Sequence, residues 1–183
     1  MILETERRSG VWYSAITDDK GSLVACGFSR NRRAAQRSAV HSLPQNLRRR
    51  IVHSPKASRI VGVLHDTYMG RNLRRPPRIR MVSKSPFLTR TYRNTMKIPR
   101  GKVTTYGKLA RQVGSKRLAR AVGNAMARNP LPLVVPCHRV VHSTLRVGKY
   151  GGPGSGGSRV KRELLIREGV QFDGERISES SLW

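Results

Sequence analysis

The stretch 133–141, LVVPCHRVV, is a short apolar run, broken by one proline, that ends on a thiol with an imidazole beside it. The chain has two cysteines, Cys26 and Cys137, and Cys137 lies in the more apolar neighbourhood. A cysteine followed by a histidine can be a nucleophile and its general base. It can also be a small buried hydrophobe beside a surface ring. The residues around the stretch must decide between these two interpretations.

Length and composition indicate a globular chain. Its 183 residues suffice for one domain, or two small ones, with a real core. No apolar run approaches the ~18 residues that span a bilayer. The first eight residues lack the apolar segment of a signal peptide, so we expect neither a membrane partner nor export. Two cysteines provide no disulfide framework, which predicts a reducing cytoplasm.

Positive charge is the dominant global feature of the sequence. Lys and Arg number 37 against 10 Asp and Glu, a formal net charge of +27. Asp66 is followed by no further carboxylate until Glu163. Because carboxylates would repel phosphates, the lack of carboxylates between Asp66 and Glu163 indicates a surface that faces a polyanion. The charge predicts a nucleic-acid partner; solubility, a ribosomal-type protein and heat adaptation are the alternatives.

Residues 1–80 predict a small domain of strands and helices. Residues 11–16 and 23–28 are strand-like runs joined by turn-forming residues, which is typical of a hairpin. Helices are expected over 31–40 and 56–68. The three histidines His41, His53 and His65 lack a Cys-x-x-Cys companion, so we expect no metal, with zinc as the alternative.

Residues 81–183 predict a mostly helical second domain, after an Arg-rich crossing segment over 71–84. Ser85-Pro86 is typical of a helix start. A final helix is expected over 161–168. The polar tail from 173 to 183 is expected to be partly disordered, apart from the final Leu182 and Trp183.

A helix-turn-helix is predicted between residues 104 and 128. Thr104 or Thr105 is expected to cap a short helix that ends at Gly114, and Ser115 to cap a second helix over 116–128. The second helix combines cations with small residues that let a backbone approach DNA closely, namely Lys116, Arg117, Arg120 and Arg128 with Ala119 and Gly123. Simple helix–helix packing is the alternative explanation for the small residues.

Residues 85–170 resemble the O6-alkylguanine-DNA alkyltransferases. The resemblance rests on GKVTTYGKLA (101–110), RAVG (120–123), NP (129–130), PCHRV (136–140), VGKY (147–150) and EG (168–169). Each motif alone is weak, but their order, with PCHRV among them, is specific. The resemblance implies an α+β chain: a small N-terminal ribonuclease-H-like sheet-and-helix domain, then a mostly helical winged helix-turn-helix catalytic domain.

The implied function is direct-reversal DNA repair. A methyl or alkyl group would pass irreversibly and stoichiometrically from O6-alkylguanine in flipped-out duplex DNA to Cys137, with O4-alkylthymine as a further candidate lesion. The resemblance implies a monomer that needs no cofactor. A non-catalytic damage sensor and a basic DNA- or RNA-binding protein are the alternatives.

The resemblance also implies residue roles. Cys137 would attack as a thiolate, since a neutral thiol is too weak a nucleophile. His138 would take its proton through a water, and Glu168 would orient and polarise His138. Tyr106 would donate a proton to the minor-groove nitrogen of guanine.

Further residues would hold the DNA and the base. Arg120 would intercalate and fill the gap left by the flipped nucleotide, and the helix carrying it would dock in the minor groove. Asn129 would fix the turn before Cys137 and contribute to the base pocket, whose other lining residues would be Tyr106, Val140, Val147, Gly148, Tyr150 and Gly151. Gly151 stands where many family members have serine, and the loop 151–158 is longer than usual, which leaves the pocket size open.

Overall fold

The structure is a computed structural model that describes residues 1–56, 58–72, 75–83, 85–150 and 157–183. These residues form a mixed α+β fold that divides into two compact units. One unit comprises Met1–Val82 with Pro130–Val134, and the other Ser83–Asn129 with Val135–Trp183. None of the helices in the described ranges is long and apolar enough to cross a membrane.

The first unit is built on a four-stranded sheet in the order β3-β2-β1-β4. Its strands are β1 (Ile2–Arg8), β2 (Val11–Thr17), β3 (Leu23–Ser29) and β4 (Val52–Ser54). The predicted hairpin is confirmed as the antiparallel pair β2–β3. Asp18 closes its turn by accepting hydrogen bonds from the N–H groups of Lys20 and Ser22. β1 and β4 pair in parallel and were not foreseen from the sequence.

Helices α1 (Arg32–His41), α2 (Gln45–Arg48) and α3 (Arg59–Tyr68) complete the first unit. α1 begins after Asn31, whose side chain accepts from the N–H of Ala34 at 3.0 Å. α3 begins later than predicted because Ser58 caps it. A buried apolar cluster joins sheet and helix: Leu3, Ile16, Val24, Ala25, Ala39 and Leu43.

The second unit contains four α-helices within its described residues, α4 (Pro86–Met96), α5 (Tyr106–Val113), α6 (Ala119–Ala127) and α7 (Gly157–Arg167). Two short strand pairs accompany them: β5 (Thr104–Thr105) with β6 (Val140–Val141), and β7 (Phe172–Asp173) with β8 (Arg176–Ile177). The predicted helix over 116–128 is divided into a 3-10 turn, Lys116–Leu118, and α6. Ser115 caps this turn through the N–H of Arg117.

The C-terminal tail is ordered, so the expectation of disorder was wrong. Besides β7 and β8 it forms backbone hydrogen bonds with the segment before α5. Val103 donates to the carbonyl of Ser181 at 2.9 Å, and Trp183 donates to the carbonyl of Val103 at 2.9 Å. Composition could not reveal this pairing, because backbone groups make it and the side chains are polar.

Candidate active site

Cys137 opens a short 3-10 turn, Cys137–Arg139, immediately before β6. β6 pairs with β5, and the register places Thr105 opposite Val141. The next residues along the two strands, Tyr106 and His142, therefore lie side by side, with ring centroids 5.6 Å apart. This pairing brings the start of α5 to the cysteine turn.

Cys137 lines a cavity of about 540 Å³ in the second unit. Six residues predicted for the site line it: Tyr106, Ala119, Arg120, Gly123, Cys137 and Tyr150. Six others were not foreseen: Asn124, Met126, Ala127, His142, Lys149 and Lys161. The cavity therefore runs from Cys137 to the face of α6 that carries Arg120.

Four predicted pocket residues are not among those that line this cavity. Asn129 instead donates through Nδ2 to the carbonyl of Val135 at 2.8 Å and to Sγ of Cys137 at 3.1 Å. Val147 packs in a buried apolar cluster. Val140 is buried. Gly148 lies against the His142 ring.

The remaining predicted DNA-binding residues lie just before and just after α6. Lys116 and Arg117 are exposed on the 3-10 turn, and Arg128 is exposed after α6. Gly151 lies outside the described residues, as does most of the loop 151–158. Gly157 and Ser158 belong to α7.

His138 and Glu168 meet in the interior of the second unit. Nε2 of His138 lies 2.8 Å from Oε1 of Glu168, and the side chains are 1% and 3% exposed. Arg139, which the sequence did not single out, donates through Nε to Oε2 and through Nη2 to Oε1, both at 2.7 Å. Its Nη1 donates to the carbonyl of Ile98, also at 2.7 Å. This fork-shaped ion pair holds the carboxylate in place.

The ionisation of this pair follows from its neighbours. Burial raises the pKa of Glu168, but the hydrogen bonds from His138 and Arg139 and the positive charge of Arg139 outweigh it and bring the pKa to about 2. Burial lowers the pKa of His138 despite the opposing Glu168 charge. A carboxylate only accepts, so we assign the His138 proton to Nε2. Nδ1 then carries the lone pair; it is buried and has no hydrogen-bond partner within the described residues.

Burial is also the largest influence on the pKa of the Cys137 thiol. It raises the pKa of Cys137, while the Asn129 hydrogen bond, the Lys161 charge and the Tyr150 hydrogen bond act in the opposite direction. The resting group is therefore the thiol, and these three neighbours favour the thiolate once a proton is removed.

Lys161 is a buried cation that sequence analysis missed. It is 1% exposed, and Nζ donates to the carbonyl of Val140 at 2.6 Å. Burial lowers its pKa to about 8, against the effect of Cys137. A signal was available: Lys161, Leu164 and Leu165 have helical i, i+3, i+4 spacing, which places the lysine on the apolar face of α7.

Tyr106 is the first residue of α5, held there by the Thr105 cap, whose hydroxyl accepts from the N–H of Lys108 at 3.2 Å. Burial raises the pKa of Tyr106 to about 12, with a smaller contribution from Cys137. The phenol therefore stays protonated at neutral pH and can act as a hydrogen-bond donor.

α5 and α6 are consecutive helices in the part of the chain where two short helices were predicted. Gly114 ends α5 with φ of 153°, and α6 buries Val122, Ala125 and Met126 while Arg120 remains exposed. Among the residues that the structure describes, no group of three or more His, Cys, Asp or Glu side chains could hold a metal ion.

Comparison with known proteins gives consistent matches. A family model described as 6-O-methylguanine DNA methyltransferase, DNA binding domain, matches residues 86–170. The methylated-DNA–protein-cysteine methyltransferase of Rattus norvegicus is 46% identical over 70 residues, which cover 38% of this chain and 32% of the rat protein. This chain thus spans about a third of that relative's length.

Two solved structures match nearly the whole chain. The structure of Mycobacterium tuberculosis OGT in complex with DNA is 25% identical with a TM-score of 0.71, covering 92% of this chain and 93% of that chain. The O6-methylguanine-DNA methyltransferase from the hyperthermophilic archaeon Pyrococcus kodakaraensis is 31% identical with a TM-score of 0.70, covering 92% of this chain and 99% of that chain. Because that relative is matched over almost its full length, this chain belongs to the O6-methylguanine-DNA methyltransferase family.

Proposed function

We propose that this protein repairs DNA by moving an alkyl group from O6 of guanine to Sγ of Cys137, once per molecule. The observation that carries the proposal is a cavity lined both by Cys137 and by Arg120 of α6. Membership of a family whose relatives include a methylated-DNA–protein-cysteine methyltransferase and a protein solved with DNA supports it.

In the proposed reaction, one S–C bond forms and the C–O6 bond breaks. The thiol loses one proton, and the leaving guanine keeps the bonding electrons and gains one proton. Nδ1 of His138 is the base, because Nε2–H is engaged by Glu168. Arg139 keeps Glu168 ionised and oriented through its two hydrogen bonds.

The groups around the thiol stabilise charge as it develops. Lys161 is a cation close enough to the thiolate to favour it. Tyr106 is protonated at neutral pH and would supply the hydrogen bond to the departing base. Both line the cavity that would receive the flipped nucleotide.

DNA would lie along α6. Arg120 would fill the gap in the base stack, and Ala119 and Gly123 would allow close approach to the minor groove. Lys116, Arg117 and Arg128 are exposed cations suited to phosphate contacts. The partner would be double-stranded DNA containing O6-alkylguanine.

The finer features of the fold belong to the same proposal. We assign residues 1–80 to a ribonuclease-H-like structural domain and 81–183 to a winged helix-turn-helix catalytic domain, supported by the four-stranded sheet and by the short β5–β6 and β7–β8 pairs. We also infer a monomer that acts in the cytoplasm without a cofactor; the free thiols of Cys26 and Cys137 support a reducing compartment.

Intact mass spectrometry tests the proposal directly. The protein would be incubated with a duplex carrying one O6-methylguanine, and each molecule should gain the mass of one CH₂ unit, on the peptide containing Cys137. Cys137→Ser should abolish the gain. Glu168→Gln should slow it, because a neutral amide cannot hold Arg139 and His138 as the carboxylate does.

The matched control is Cys26→Ser, which removes the other thiol; Cys26 is buried in the first unit and donates to the carbonyl of Pro132. It should gain the CH₂ mass like the unmodified protein. Methylation of Cys26, or DNA binding without any mass gain, would contradict the proposal, the latter outcome favouring the damage-sensor alternative.

A further inference from the structure

The first unit carries a large positive charge of its own. Residues 1–82 contain 17 Lys and Arg and 5 Asp and Glu. No carboxylate occurs between Asp19 and Asp66, whereas residues 30–50 alone contain seven arginines. This charge is not part of the α5–α6 motif, which belongs to the second unit.

Four of the five acidic side chains in this stretch are engaged elsewhere. Glu6 pairs with Arg8 at 3.0 Å. Asp18 pairs with Arg80 at 2.7 Å, and Asp66 with Arg71 at 3.0 Å. Glu4 accepts a hydrogen bond from the N–H of Ser58. None of these contacts reaches the arginines around α1 and α2.

Five arginines around these two helices form what we name the α1 arginine surface, namely Arg30, Arg33, Arg37, Arg49 and Arg50. All five are exposed, and none takes part in an ion pair within the described part of the chain. Arg33 and Arg37 are four residues apart on α1, so they lie on the same face and repel each other.

The surface is held in a fixed orientation. Ala35 and Ala39 bury the opposite face of α1. There is no room for a Cβ on Gly27, which would overlap the carbonyl oxygen of Ala35 and lie 2.9 Å from the amide of Ala39. At the other end, Arg48 donates to the carbonyls of His41 and Leu43, both at 2.8 Å. Arg49 and Arg50 are thereby kept near the end of α1.

We propose that the α1 arginine surface is a second contact for duplex DNA, made through the phosphate backbone. Unpaired, mutually repelling guanidinium groups on a rigid helix are stabilised by a polyanion, and phosphates accept hydrogen bonds from arginine with favourable geometry. The choice of DNA over another polyanion rests on the proposed function. The contact would be independent of sequence and of damage.

The test is the salt dependence of binding to an undamaged duplex. The double variant Arg33→Gln with Arg37→Gln should make the negative slope of log Kobs against log salt shallower by about 1.8, because each lost phosphate contact contributes about 0.9. Affinity at about 0.1 M salt should fall by about tenfold or more. Because no alkyl transfer is measured, the outcome does not depend on whether the repair reaction occurs.

The matched control is Arg8→Gln with Arg71→Gln, which removes the same charge from the first unit at arginines that pair with acids. Its slope should stay close to that of the unmodified protein, and thermal unfolding should show both double variants folded. If the two double variants changed the slope equally, binding would depend on net charge alone, and the proposal would be overturned. An equal loss of affinity for duplex RNA would overturn the assignment to DNA.

Discussion

At the scale of single residues, the burial of Lys161, which is 1% exposed, should affect the stability of the protein. The folded protein holds it at a pKa of about 8, against the ordinary lysine pKa of 10.5. Between these pH values the unfolded chain binds a proton that the folded chain lacks. The free energy of unfolding therefore rises with pH across this window, by at most about 3 kcal/mol from this group.

We compare the unmodified protein with a Lys161→Met variant. Between pH 8 and 10.5, the free energy of unfolding of the unmodified protein should rise by about 3 kcal/mol relative to that of the variant. Methionine fills a similar volume and does not titrate, and carrying Cys137→Ser in both proteins removes the thiol whose pKa the Lys161 charge lowers. Urea unfolding at pH 7 and pH 10 measures the difference. Parallel pH profiles for the two proteins would show that the lysine is not buried as described.

Gly148 is a second residue whose surroundings permit a sharp prediction. Its φ is +73°, and a Cβ there would lie 2.5 Å from Nε2 of His142. Gly148→Ala should therefore strain the backbone and displace the His142 ring from the cavity wall, costing about 1–2 kcal/mol of stability. Thermal unfolding measures the cost.

Gly107→Ala is the control for that substitution, because a Cβ at this helical position meets nothing within 4 Å. It should be neutral, or stabilising by about 0.5–1 kcal/mol, since alanine favours the helix. A Gly148→Ala protein as stable as Gly107→Ala would contradict the described contact with His142.

At the scale of elements, the start of α5 links helix stability to the site. Thr105 caps the helix, pairs with Val141 in the strand register and precedes Tyr106. Thr105→Ala leaves the N–H of Lys108 without its acceptor and should cost about 1 kcal/mol.

The measurement for Thr105→Ala is chemical denaturation, with Thr144→Ala at an exposed position as the matched loss of one hydroxyl and one methyl group. We expect a clear loss only for Thr105→Ala, together with slower alkyl transfer because Tyr106 is less well positioned. Equal stability of the two variants would mean that the cap contributes nothing.

For the molecule as a whole, the C-terminal tail closes the second unit. Backbone hydrogen bonds join Val103 to Ser181 and Trp183, and Lys102 donates through Nζ to the carbonyl of Ser180 at 2.7 Å. Deleting residues 179–183 removes these bonds and uncovers the Val103 backbone, which should cost about 2–4 kcal/mol at about 1 kcal/mol each.

Urea unfolding monitored by a probe in the second unit would measure this loss. Replacing Leu182 with Ser, which keeps the backbone pairing and changes a side chain that is 38% exposed, serves as the control. A deletion with no greater effect than that substitution would show that the tail does not stabilise the unit.

Local chemistry in the sequence determined much of this protein. Ser85, Thr105 and Gly114 mark helix boundaries through contacts within a few residues, and the structure confirms each of them. The α+β class and the family followed from local patterns and from motifs read in order along the chain.

Only the tertiary structure decided which side chains surround Cys137. The bonds from Arg139 to Glu168 span 29 residues, and that from Lys161 to Val140 spans 21. In a sequence, Arg139 and Lys161 resemble the many solvated cations of a chain with 37 of them. Burial separates them from the rest, because a charge enclosed by protein must find its partners there. Which cations are enclosed depends on how strands and helices distant in the chain pack together.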